Sequence, residues 1–186
     1  MLLCPSPPRW LDQALGDLDT LLLDHAHCER RAASTVLGFS FRAPEMEFAG
    51  QMSRLAREEL THFEMALREL RRRNLPFVAL PPAAYAQRLA TGMRKKVLDE
   101  AMVDSLVVAG IIEARSHERL VLLEAACADP HLKAFYAALV ESEERHAAQM
   151  FALAERWGDP APRIAFFAAQ EAEIITAGED VVRMHS

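Results

Sequence analysis

Apolar residues recur at intervals of three and four through four long segments, the spacing that aligns side chains on one face of an α-helix. The pattern predicts helices from about Pro8 to Leu37, Pro44 to Arg73, Arg94 to Cys127 and Pro130 to Trp157. Gly38 with Pro44, and Asp129 with Pro130, mark short connections, so the helices they join should be antiparallel neighbours. The second and third helices are separated by a longer stretch, Asn74 to Met93, in which Pro76, Pro81 and Pro82 leave room for only a short helix around Ala83 to Ala90. That stretch is long enough to cross a bundle from end to end. A fifth segment, Arg163 to Ala177, is amphipathic through Ile164, Phe167, Ala168, Ile174 and Ile175 and should pack on the outside. The predicted architecture is all-α: a four-helix bundle with a long crossover between helices 2 and 3 and an extra C-terminal helix. At 186 residues it should form a single domain over 1–186.

The apolar stripes are interrupted where leucine would be expected. The first reads Leu11, Leu15, Leu18, Leu22, His25, Glu29, Ala32, Val36, and the second Phe48, Met52, Leu55, Glu59, His62, Ala66. The third reads Leu98, Met102, Leu106, Ala109, Glu113, Ser116, Leu120, Leu123, and the fourth Leu132, Leu139, Glu143, His146, Met150, Leu153, Trp157. Each long helix therefore carries a Glu near the middle of its buried face. A buried carboxylate costs several kcal/mol unless it is paired, protonated or coordinated.

The spacing of these residues is internally repeated. Glu29 precedes Glu59 by 30 positions and Glu113 precedes Glu143 by 30, while Glu59 to Glu143 and His62 to His146 are both 84. Pro44 lies 15 residues from both Glu29 and Glu59, which at 1.5 Å per residue puts both carboxylates roughly 22 Å from the same turn. One Glu from each of two helices and Glu-x-x-His from each of the other two make a dinuclear carboxylate site at one level of a bundle. Hard anionic carboxylates can bridge two divalent ions, and each imidazole completes one of them while leaving positions open for oxygen. Iron is the first expectation and manganese the second. By role, Glu29 and His62 should hold one ion, Glu113 and His146 the other, and Glu59 and Glu143 should bridge. His25 and His117, one helical turn from Glu29 and Glu113, and Arg145, between Glu143 and His146, are candidates to orient these ligands. Cys28 reads as packing.

Composition and charge narrow the setting. Hydrophobic residues make up 51% and charged residues 26%, with only 7 Gly, which excludes a disordered, collagen-like or turn-rich all-β chain. Cys4, Cys28 and Cys127 form no C-x-x-C, arguing against a disulfide framework or a zinc knuckle. No apolar run reaches the length of a membrane span and no basic region leads into an apolar core at the start, so a cytoplasmic protein without a membrane partner is expected. The net charge of -6 is uneven: Arg68 to Lys96 holds eight cations and one anion, +7, leaving -13 for the rest. A polyanion could therefore be held at Arg71, Arg72, Arg73, Arg94, Lys95 and Lys96, with Tyr85 or Phe77 stacking on a base, although cations closing a helix also complement its dipole. No G-x-G-x-x-G fingerprint occurs, so redox chemistry would need electrons from outside the chain.

Several strings are recognisable. Leu23-Asp24-His25-Ala26-His27-Cys28-Glu29-Arg30-Arg31-Ala32-Ala33, Arg57-Glu58-Glu59-Leu60-Thr61-His62-Phe63-Glu64, Ile112-Glu113-Ala114-Arg115-Ser116 and Glu141-Ser142-Glu143-Glu144-Arg145-His146 closely resemble the bacterial tRNA 2-methylthio-N6-isopentenyladenosine hydroxylase family. The paired Glu-x-x-His pattern is shared by all ferritin-like diiron proteins; Asp-His-Ala-His-Cys-Glu and Ile-Glu-Ala-Arg-Ser are more discriminating. Thr61 stands where a second His often precedes the ligand His in that family. The resemblance implies a ferritin-like fold, two iron ions, O2 as co-substrate, tRNA as partner, an external electron-donating reductase or ferredoxin, and hydroxylation of the isopentenyl side chain beside the anticodon. A ferroxidase or iron-binding protein, or a manganese catalase, would use similar ligands and is the competing expectation.

Overall fold

The computed structural model describes residues 2–81 and 83–186; Pro82, one of the three prolines expected to break the crossover, lies outside the described residues. The described residues form seven α-helices and no strand: α1 (Pro8–Gly16), α2 (Leu18–Arg42), α3 (Met46–Arg72), α4 (Tyr85–Ala90), α5 (Leu98–Ala126), α6 (Pro130–Ala154) and α7 (Ala161–Ala177). The chain divides into two compact units, Asp17–Pro81 on one side and Met1–Gly16 with Pro82–Ser186 on the other.

The Asp17–Pro81 unit is the α2–α3 hairpin followed by an extended strap. The expected first helix is in fact two. Asp17 leaves helical geometry at φ -147° and its carboxylate accepts a hydrogen bond from the Thr20 amide (3.0 Å), starting α2 afresh. Gly38 does not end that helix as its identity suggests. Val36 and Phe39 are buried and draw the helix on to Arg42, where the Ala43 amide closes on the Phe39 carbonyl. Buried Leu21, Leu22, Ala26, Ala33, Val36 and Phe39 of α2 and Phe48, Met52, Leu55, Ala56, Ala66 and Leu70 of α3 supply the core. Beyond α3 the strap is pinned by His27, which donates from Nε2 to the Val78 carbonyl (2.8 Å) and stacks on Phe77 at 4.5 Å.

The other unit is the α5–α6 hairpin, with α1, α4 and α7 laid on α5. The fifth segment thus packs through Phe167, Ala168, Ile174 and Ile175, as its amphipathicity predicts. Helix α5 is buried on every side from Ala101 to Ile111. At Gly110 an added Cβ would stand 2.8 Å from the Phe151 ring, so α6 approaches α5 over bare backbone one turn before Glu113. Asp129 caps α6 at its N-terminus, accepting from the amides of His131 (2.9 Å) and Leu132 (3.3 Å), with Pro130 in the first turn. Two boundaries differ from expectation. Helix α6 stops at Ala154 rather than Trp157. Helix α5 starts at Leu98 rather than Arg94, because the Arg94 amide and guanidinium both turn onto Asp104. Leu98, read as a core position, is accordingly exposed.

Candidate metal centre

Helical periodicity sets the donors. In the α2–α3 hairpin, Glu29 projects from α2 and Glu59 and His62 from one face of α3; their relative exposures are 5%, 0% and 7%. Burial alone would raise the Glu29 carboxyl, but the His25 and His62 imidazoles outweigh it and hold it down to about 2, so Glu29 is ionised at neutral pH. The His25 contact is the closer one, Nε2 to Oε1 at 2.6 Å. His25 thus holds the Glu29 carboxylate one turn away. His62 Nδ1 stands 3.5 Å from Glu29 and 3.7 Å from Glu59.

The α5–α6 hairpin repeats the arrangement. Glu113 on α5 and Glu143 and His146 on α6 are all buried, and His146 Nδ1 lies 3.8 Å from Glu143. These nitrogen–oxygen separations exceed an ordinary hydrogen bond of about 3.2 Å. They are close to the roughly 3.0–3.5 Å between two donors that share an ion at about 2.0–2.2 Å. With carboxylate oxygens and one imidazole in each hairpin, the donor chemistry suits a divalent iron or manganese ion.

The remaining candidates sort differently. His117 bonds through Nδ1 to the Val140 carbonyl (2.9 Å), fastening α5 to α6 rather than orienting a carboxylate. Arg145 is exposed: two residues from Glu143 is a rotation of about 200° round the helix, which carries it to the outer face, so the expectation that it orients the ligands is corrected. Of the basic residues, Arg72 pairs with Glu69 (2.8 Å), Arg73 bonds Asp19 (2.7 Å) and Arg94 is bound to Asp104 (2.7 Å), whereas Arg71, Lys95 and Lys96 are exposed. Tyr85 is buried at 1% exposure, its hydroxyl on Glu171 and its ring stacked on His185, and is out of reach of any base. Phe77 is 38% exposed but already stacked on His27.

A second set of charges, not anticipated from the periodicity, is also buried. Arg115 donates two hydrogen bonds to Glu171 (2.7 and 2.9 Å), all of it shielded from solvent. Arg119, fully buried, donates to the Ser6 hydroxyl and to the carbonyls of Met184 and Ser186, and lies 4.4 Å over the Trp10 ring. Burial lowers its pKa to about 10, leaving it a cation at neutral pH. Asp104 is gripped by Arg94 and Arg163. The signal was present: Arg115 and Arg119 are four apart and so share one face of α5, and Glu171 falls on the Phe167/Ile174 stripe.

An all-α chain with Glu-x-x-His buried in each of two helical hairpins, a crossover between them and a trailing helix has the ferritin-like fold. Comparison with known proteins narrows the class. Residues 1–186 match the model of the family described as tRNA-(MS[2]IO[6]A)-hydroxylase (MiaE). A Pseudomonas putida protein named tRNA 2-(methylsulfanyl)-N(6)-isopentenyladenosine(37) hydroxylase is 40% identical, over 98% of this chain and 90% of that protein. Its Salmonella typhimurium namesake is 30% identical over 98% and 86%. A solved Synechococcus structure, described as a protein with aldehyde deformylating oxygenase activity, superposes with a TM-score of 0.92 at 38% identity, covering 100% of this chain and 95% of its own. The chain belongs to the tRNA-(MS[2]IO[6]A)-hydroxylase (MiaE) family.

Proposed function

We propose that the two hairpins act as one domain over residues 1–186, in which Glu29, Glu59, His62, Glu113, Glu143 and His146 hold two iron ions. The protein is an O2-dependent oxidoreductase of the cytoplasm that hydroxylates the isopentenyl side chain of 2-methylthio-N6-isopentenyladenosine in tRNA, next to the anticodon. The observation that carries this reading is membership of the hydroxylase family over the whole chain. The donor set buried in each hairpin agrees with it.

Iron, when bound, would pass two electrons from the reductant to O2 while the substrate C–H bond gives two more, so that one oxygen atom becomes the hydroxyl and the other takes up two protons and leaves as water. The protein's own contribution is placement. Glu59 and Glu143, the most deeply buried carboxylates of the set, would serve both ions, His62 and His146 would each hold one, and His25 keeps the Glu29 carboxylate from rotating. Met52, Leu55, Met102, Leu106 and Met150, all buried on the donor-bearing helices, keep water away from the donors. The two electrons come from a separate reductase or ferredoxin, since the chain has no nucleotide-binding fingerprint. No helix among the described residues is long and apolar enough to cross a membrane.

Likeness to a protein with aldehyde deformylating oxygenase activity favours a second reading, an oxygenase acting on an aldehyde with the same ligands. Ferroxidase and manganese catalase activities have no comparable support. The deciding experiment expresses the gene in a bacterium whose tRNA carries the unhydroxylated nucleoside. Nucleoside analysis should show the hydroxylated form with the wild-type protein and none with Glu59→Gln. Unchanged tRNA from cells holding metal-loaded protein, together with consumption of an added aldehyde, would transfer the assignment to the second reading.

A further inference from the structure

The arginines of the Asp17–Pro81 unit fall into two groups. Five, Arg30, Arg31, Arg42, Arg72 and Arg73, have a partner within the fold. Arg30 contacts His27 (3.3 Å) and lies 5.4 Å over the Phe77 ring, and Arg31 donates to the His27 carbonyl (3.1 Å). Arg72 and Arg73 pair with Glu69 and Asp19. Four others, Arg54, Arg57, Arg68 and Arg71, are exposed, and among the described residues none of them makes an ion pair.

Their positions are regular. Arg54, Arg57, Thr61, Glu64, Arg68 and Arg71 follow one another at intervals of three, four, three, four and three, so they form a single stripe along α3. The stripe spans 17 residues, about 25 Å, with one arginine pair at each end and about 16 Å between the pairs. At 100° per residue it lies about 200° round the helix from the centre of the face bearing Leu55, Glu59, His62 and Ala66. Each pair sets two Cα atoms about 4.5 Å apart along the axis, so that two long arginine side chains can reach neighbouring phosphates. Guanidinium is the cation best suited to phosphate oxygens, which it meets through two parallel N–H donors.

We propose that this outer stripe of α3 is a docking surface for the phosphate backbone of tRNA, with Arg54/Arg57 and Arg68/Arg71 as two separate clamps. The inference rests on tRNA being the substrate. It also changes which cations serve: of the arginines first singled out by charge density, Arg71 remains, while Arg72, Arg73 and Arg94 are committed to Glu69, Asp19 and Asp104. Because the stripe faces away from the donors of α3, it holds backbone flanking the reacting nucleotide, which must itself be splayed out to reach a buried centre.

The test measures affinity for tRNA carrying the unhydroxylated nucleoside, as a function of salt, for the iron-loaded full chain. It compares wild type, Arg54→Ala/Arg57→Ala, Arg68→Ala/Arg71→Ala and a control with charge removed elsewhere, Lys133→Ala. Each clamp variant should bind about tenfold or more weakly, with the slope of log affinity against log salt reduced by between one and two, while iron content, helicity and the control match wild type. Clamp variants with wild-type affinity and slope would overturn the proposal, and wild-type hydroxylation of tRNA in the same preparation would show that the substrate assignment survives. A wild-type protein that neither binds nor modifies tRNA would remove both. Unchanged tRNA binding with slower reduction by an acidic electron-transfer protein would instead give the stripe to that partner.

Discussion

Glu59 has no exposed surface, and a carboxylate in that position is tolerable only with compensating positive charge. His62 and Glu29 are its neighbours in the hairpin, and His146 and Glu143 stand in the same relation 84 residues on. This residue-scale economy leads to a direct expectation. The wild-type protein should bind about two irons per chain, while His62→Ala and His146→Ala should each hold about one and lose activity with helicity kept. Metal analysis of the purified variants checks it, and full iron content in either would contradict the ligand assignment. The six proposed donors stand out in the sequence because a Glu or His in an apolar stripe contradicts its own periodicity, and all six are buried. His25 was legible for the same reason. Arg145 misled because adjacency in sequence is not adjacency on a helix, and Tyr85 because an aromatic residue in a basic region says nothing about which way its ring turns.

Among the elements, the long helices and the Asp129–Pro130 start of α6 were readable from the sequence, whereas the ends of α1 and α2 were not. Asp17 ends one helix and begins another through a single side-chain hydrogen bond, whereas Gly38 is overridden by the burial of Val36 and Phe39. The crossover shows the same limit. Arg94 looks like one more surface cation, yet with Arg163 of α7 it grips Asp104 of α5, joining three parts of the chain at one carboxylate. Burial would raise the Asp104 carboxyl, but hydrogen bonds from Arg94 and Arg163 outweigh it and lower the pKa below the ordinary carboxylate value. Its contribution to stability is therefore complete above the ordinary carboxylate range and is lost as pH falls through the lowered pKa. Asp104→Asn should destabilise the protein by about 2–3 kcal/mol at neutral pH, because it leaves two guanidiniums without their anion. Urea unfolding at neutral pH and in acid should show the gap between wild type and variant narrowing on acidification; a gap that is absent at neutral pH or widens in acid would refute the clamp.

At the scale of the whole molecule, two hairpins carry the same donors at the same spacing, an outer helix face carries unpaired arginines, and the rest of the chain is strongly acidic. This division of labour fits an enzyme that must shield a metal centre in apolar surroundings and still hold a large polyanion. The chain's kinship with hydroxylases of a modified tRNA nucleoside is the ground for the substrate proposed here, and the buried donor set would hold the metal that activates oxygen. The central claim is that this protein transfers an oxygen atom from O2 to that nucleoside. The measurement that tests it most directly is mass spectrometry of nucleosides from tRNA incubated with iron-loaded protein, a reductant and 18O2. The expected product is a hydroxylated nucleoside carrying one 18O atom, with no label when 18O is supplied only as water. Product labelled from water, or full turnover without O2, would contradict the claim.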